Sequence, residues 1–133
     1  MAPKRILLAE DDDVLLDVLK TKLEKNGFKV FPVINGVEAL NILTKESIDM
    51  VLTDILMPEM GGFELIERMK ADEKLKNIPI IILSNSGQPV EIHQAIKMGV
   101  EDYLTKAEFD PQEVLDKVQK HLKEPKKSSL LSI

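Results

Sequence analysis

The strongest constraint on this chain is an alternation, in which short apolar runs are separated by longer segments of helical period, five times in succession. Repeated βα units have this signature, because a strand covered on both faces is apolar throughout while the helix covering it is apolar on one side only. The predicted strands are Arg5 to Ala9, Lys29 to Val33, Met50 to Thr53, Ile78 to Leu83 and Asp102 to Thr105; the first, third and fourth are nearly all apolar, which suits strands covered on both faces. The second carries Pro32, which lacks an amide hydrogen and therefore belongs on a sheet edge. Parallel strands joined by right-handed crossovers form one sheet between two helical layers, and ligands gather beyond the carboxyl ends of its central strands.

The helix ends are legible. The first helix runs from about Asp13 to Asn26, with Leu15, Leu19 and Leu23 on one face and Gly27 as its stop. Asn35 to Glu38 has capping-box spacing for the second, the third starts after Gly61-Gly62, and the fourth has Pro89 in its first turn and Gly99 as its stop. The fifth opens with Asp110 as cap, Pro111 at the first helical position and a returning Glu113. Residues 1–124 are thus expected to make one domain, with 125–133 a short flexible tail.

At 133 residues there is material for a single core, and 44% hydrophobic with 31% charged residues excludes disordered and low-complexity classes. A net charge of −5 has the wrong sign for a protein that neutralises nucleic-acid phosphates or binds anionic membranes, and one Tyr, four Phe and no Trp offer little for base stacking. With no cysteine, disulfides and thiolate chemistry are out, and the apolar run near the N-terminus ends too soon for a signal peptide. A cytoplasmic location is expected, without nucleic-acid or membrane partners.

Four predicted strand ends carry polar chemistry. Glu10, Asp11 and Asp12 follow the first strand, Asp54 the third, Ser84 the fourth and Lys106 the fifth. If the first and third strands are neighbours, Glu10, Asp11 and Asp54 share a pocket, where three carboxylates repel one another unless a cation joins them. An all-oxygen, histidine-free set suits Mg²⁺, with Mn²⁺ as a substitute. Lys106 supplies a positive charge for a phosphoryl group, and Ser84 a hydroxyl donor.

In their order and spacing, Ile6-Leu-Leu-Ala-Glu10-Asp11-Asp12, Asp54-Ile-Leu-Met-Pro58-Glu-Met-Gly-Gly62, Ile80-Ile-Ile-Leu-Ser84 and Asp102-Tyr-Leu-Thr-Lys106 together resemble the receiver domains of two-component response regulators, of the chemotaxis type that consists of a receiver alone. The resemblance covers residues 4–123. It implies a flavodoxin-like α/β fold with strand order 2-1-3-4-5. It also implies that Asp54 attacks the phosphoryl group of a histidine kinase or a histidine phosphotransfer protein and becomes an acyl phosphate. Asp11, Asp54 and the backbone carbonyl of Leu56 resemble the direct metal ligands, with Glu10 acting through water. Lys106 and Ser84 resemble the groups that hold the phosphoryl oxygens, and Tyr103 the aromatic switch that follows Ser84. Asn85, Ser86 and Leu56 occupy the positions that govern access to the phosphorylated aspartate. Such domains control partner proteins and are not metabolic enzymes. The downstream target is expected to bind the face made by the fourth helix, fifth strand and fifth helix.

Two residues depart from the family pattern. Ala107 stands where most members have a proline, and since a cis bond before a non-proline residue costs ~3 to 4 kcal/mol, the Lys106-Ala107 bond is expected to be trans. Asn85 is larger and more polar than the usual alanine or glycine, which implies an altered phosphoryl lifetime.

Several residues have simpler readings. Asp12 is expected to cap the first helix, leaving Glu10 and Asp11 for the metal. Tyr103 could be only a half-buried strand residue. Met57, Met60, Met69 and Met98 read as core and rim filling, and His93 and His121 as surface or packing residues. A phosphorylation-independent scaffold is the rival reading, opposed by the intact set of acids, serine and lysine. A phosphohydrolase would need an acid near Asp54, where Ile55 and Leu56 stand, and a covering domain.

Overall fold

The computed structural model describes residues 2–106 and 110–122. Five strands, β1 (Arg5–Ala9), β2 (Lys29–Val33), β3 (Met50–Thr53), β4 (Ile80–Ser84) and β5 (Asp102–Thr105), alternate with five helices, α1 (Asp13–Lys25), α2 (Gly36–Lys45), α3 (Gly62–Lys70), α4 (Pro89–Lys97) and α5 (Pro111–Leu122). The strands form one parallel sheet in the order β2-β1-β3-β4-β5, the flavodoxin-like arrangement that was expected. Pro32 lies on the edge strand, opposite Leu8.

Strand periodicity divides the core in two. Leu7, Ala9, Val51, Ile80 and Ile82 face a layer containing Ala39 and Leu43 of α2, Leu65, Ile66 and Met69 of α3 and Ala95 of α4. Ile6, Leu8, Met50, Leu52, Ile81 and Leu83 face Leu19 and Leu23 of α1 and Val114, Leu115 and Val118 of α5. Because successive side chains point to opposite sides, a wholly apolar strand supplies both halves.

Three local boundaries differ from the sequence reading. β4 begins at Ile80 because the Ile78 amide is spent on the Leu75 carbonyl in a turn and Pro79 has no amide to give the ladder. At its other end the same strand runs through Ser84, which pairs with Thr105 and is its last residue rather than the first beyond it. Gly62 lies inside α3, which Gly61 caps without a side chain. In α2 the Asn35 side chain accepts from the Glu38 amide as expected, but Glu38 reaches back to the amide of Ile34, one residue earlier than a capping box requires. The other ends agree: Gly27 and Gly99 follow the caps of α1 and α4 with φ of +92° and +82°, conformations that glycine adopts without strain. The Lys106-Ala107 bond and the 125–133 tail lie outside the described residues.

Candidate functional site

The carboxyl edge of the sheet is assembled by backbone bonds before any side chain acts. The Glu10 amide donates to the Val33 carbonyl and the Asp54 amide to the Ala9 carbonyl, so the ends of β1, β2 and β3 are tied together. The β3–α3 loop then folds back on itself. Glu59 adopts φ 67°, the Gly62 amide donates to the Ile55 carbonyl at 2.7 Å, and a Cβ on Gly62 would stand 2.1 Å from the Asp54 carbonyl oxygen. Only glycine permits that approach. The sequence Asp54 to Gly62 is therefore one device, an acid at a strand end and the small residues that let its loop close.

Glu10, Asp11 and Asp54 meet there, each offering a carboxylate oxygen, and these oxygens lie within 4.8 Å of one another. Asp54 is 6% exposed; its Oδ1 accepts from the Ile55 amide at 2.7 Å and its Oδ2 from Lys106 Nζ at 2.8 Å. Glu10 is fully buried, with Oε2 accepting from the Asp12 amide. Its Oε1 stands 2.7 Å from Lys106 Nζ as an ion pair and has no other partner among the described residues. Asp11 is exposed, and Asp12 caps α1 by accepting from the Val14 and Leu15 amides.

The electrostatics follow from burial. Desolvation pushes the Glu10 carboxyl above its ordinary value, with Lys106 and the Asp12 amide opposing and the Asp54 charge reinforcing. Burial pulls Lys106 down, but its hydrogen bonds and attraction to Asp54 and Glu10 outweigh that and hold the amine above its ordinary value. Lys106 is thus pinned between two acids, whereas the sequence suggested only a charge at a strand end. Three acids beside one amine, which pairs with only two of them, leave an excess of negative charge, and such an all-oxygen cluster is the environment in which a hard divalent cation could be held.

These groups line a cavity of about 650 Å³ with Leu56, Ser84, Asn85, Ser86 and Glu91 in its walls. Ser84 is buried and its Oγ accepts from the Ser86 amide at 3.0 Å. Leu56 projects from the rim, 76% exposed. Tyr103 stands one step behind the cavity, half-buried, its hydroxyl donating to the Ser86 carbonyl at 2.6 Å. That hydroxyl is held above its usual pKa by burial first, and also by the charges of Glu91 and Asp54. Glu91, in the first turn of α4, escaped the sequence reading; its only signal was its position two residues after the helix-starting Pro89. Among the described residues no helix is long and apolar enough to cross a membrane. His93 is exposed, and His121 bonds Asp102 at the far edge of the sheet, so neither belongs to this site.

Residues 6–119 match the response regulator receiver domain family. The chain is 38% identical to the two-component response regulator ORR11 of Oryza sativa over 106 residues, 79% of this chain and 72% of the relative. It is 34% identical to a chemotaxis protein CheY homolog of Campylobacter jejuni over 117 residues, covering 86% and 89% of the two chains. The crystal structure of a CheY-like receiver domain protein from Methanospirillum hungatei superposes with a TM-score of 0.85 at 28% identity, covering 95% of this chain and 98% of that one. The superposition agrees with the strand order, and with the family match and the relatives it shows that the chain belongs to the receiver domains of response regulators, which are signalling proteins rather than metabolic enzymes.

Proposed function

We propose that this receiver accepts a phosphoryl group on Asp54 in a Mg²⁺-dependent reaction and, once modified, changes conformation to control a partner protein. The observation that carries the reading is the convergence of Glu10, Asp11 and Asp54 with Lys106 on one cavity. A carboxylate oxygen of Asp54 attacks phosphorus, the donor's phosphorus–nitrogen bond breaks, and its electron pair stays on the donor imidazole. Asp11, Asp54 and the Leu56 carbonyl would hold the cation, with Glu10 reaching it through water, and the cation would neutralise charge on the transferred oxygens. Lys106 balances the charge of Asp54 before transfer and of the phosphoryl oxygens after it. Ser84 uses an Oγ lone pair on the Ser86 amide, which leaves its proton available to a phosphoryl oxygen.

The arriving group brings about 1.5 to 2 negative charges to one strand end and so biases whichever loop packing offers it donors. Tyr103, bonded to the same β4–α4 loop, would carry the change to β5 and α4. Asn85, Ser86 and Leu56 stand where they would control entry of water and donor. The donor would be a histidine kinase or a histidine phosphotransfer protein. The output surface would be the α4-β5-α5 face, where Val90 and Ile96 are exposed.

The test is to incubate the chain with Mg²⁺ and a small phosphodonor and follow intact mass. One base-labile phosphoryl group per chain is expected, absent from Asp54→Asn and absent after chelation. No addition would support a phosphorylation-independent scaffold instead.

A further inference from the structure

Glu91 is a half-buried carboxylate that the phosphotransfer chemistry leaves unused. It lines the same cavity as Asp54, from the α4 wall. Among the described residues its Oε1 is buried without a hydrogen-bond partner, and no ion pair includes it. The Tyr103 hydroxyl, already donating to the Ser86 carbonyl, has no second proton to offer. An acceptor left unpaired at a cavity wall contributes nothing to folding, because it loses its water without gaining a partner. What it does supply is a fixed negative potential across the space through which a phosphodonor must pass, and the one amine in the lining among the described residues, Lys106, is already shared by Glu10 and Asp54.

We propose that Glu91 is a specificity-determining residue that selects phosphodonors by charge, penalising free multiply charged acyl phosphates relative to donors that reach Asp54 with less negative charge, such as a phosphoryl group carried on an imidazole. The inference rests on the reading of Asp54 as phosphoacceptor and concerns which donors reach it. Repulsion between two charges falls with distance and with salt, so the penalty grows with donor charge and fades when the Debye length shrinks to about 3 Å at 1 M salt.

The experiment compares the full chain with Glu91→Gln and Glu91→Lys at saturating Mg²⁺, using acetyl phosphate, a dianion near neutral pH, and phosphoramidate, a monoanion, with the initial rate of mass addition as readout. Glu91→Gln is expected to raise the acetyl phosphate rate about two- to fourfold. The phosphoramidate rate should rise by less, so that the ratio of the two rates shifts toward acetyl phosphate, further in Glu91→Lys than in Glu91→Gln. At 1 M salt the three proteins should converge. Because the ratio is taken within each protein, a loss of folded fraction cancels. If wild type and both variants show the same ratio, Glu91 does not select by charge, while the phosphoacceptor reading stands. If wild type gains mass from neither donor, the phosphoacceptor reading falls and the charge gate falls with it.

Discussion

At the amino edge of the sheet, Asp102 at the start of β5 faces His121 at 3.0 Å and Lys117 at 3.3 Å of α5, and accepts from the Tyr103 amide. At the carboxyl edge, Glu10, Asp11 and Asp54 converge, and Lys106 pairs with Glu10 and Asp54. Burial alone would raise the Asp102 carboxyl, but the bonds from His121, the Tyr103 amide and Lys117 overcome it and hold the group below its ordinary range. Glu10 shows the opposite balance, held above its ordinary range because burial exceeds what one shared lysine returns. The first edge is a finished structural element. The second is left electrostatically incomplete, which is the imbalance that the proposed cation and phosphoryl group would meet.

The sharpest contrast between the edges is in their glycines. Gly62 packs on the Asp54 carbonyl, whereas Gly27, leading into β2 at the amino edge, has open space around its Cα and needs only its positive φ. Gly62→Ala is expected to cost about 3 kcal/mol or more, because backbone must move to admit the methyl group, and to displace Asp54 as it does so. Gly27→Ala should cost about 1 kcal/mol. Urea denaturation of the two variants checks this; equal midpoints would mean that the loop yields more easily than its packing implies.

Removing the lysines tests the charge balance. Lys106→Met leaves a buried acid without its counter-ion and is expected to cost about 2 to 3 kcal/mol at pH 7. Lys117→Met at the other edge should cost less than about 1 kcal/mol, since Lys117 and Asp102 both keep contact with water. The pH dependence follows from the direction of the Glu10 shift. A raised folded-state pKa contributes stability that is complete below the ordinary glutamate range and is lost as pH rises through the raised value. Acidification from pH 7 to 5 should therefore recover stability in Lys106→Met, where Glu10 has lost its partner, by more than in wild type. The raised pKa of Lys106 puts the loss of its own contribution at alkaline pH and does not confuse that window.

Much of this edge was legible in the sequence, because each acid follows an apolar run and parallel strands must end side by side. Strand period, with the first and third strands taken as neighbours, brought Glu10, Asp11 and Asp54 together, and the Asn35, Asp12 and Asp110 caps obeyed local rules. Less visible was whatever depends on contacts between distant segments. Nothing in the local pattern told that Lys106 bonds two acids at once, that Gly62 touches Asp54 or that Glu91 enters the cavity. The start of β4 was misplaced because Ile78 is apolar and β-branched, and only its bond to Leu75 shows that it belongs to a turn.

A divalent cation should distinguish the edges directly. In excess Mg²⁺ the wild-type chain is expected to gain about 1 to 2 kcal/mol by mass action, observed as a higher denaturation midpoint that returns to baseline with chelator. Asp11→Asn should lose that gain and Asp102→Asn keep it. A gain that survives Asp11→Asn would place the ion elsewhere.

The smallest effect is expected at Asp102 itself. Its partners are strong donors, but it remains partly exposed, so solvent screening limits Asp102→Asn to a cost of about 0.5 to 1 kcal/mol at pH 7. A lowered folded-state pKa contributes stability present above the ordinary aspartate range and lost as pH falls through the lowered value. Wild type and Asp102→Asn should accordingly differ in denaturation midpoint at pH 7 and converge as pH is taken well below about 4. Convergence there, alongside the opposite response of Lys106→Met, would show that one sheet uses two acids of unlike setting for unlike ends: Asp102 ionises readily because its neighbours complete it, and Glu10 resists because the group that completes its site arrives from outside.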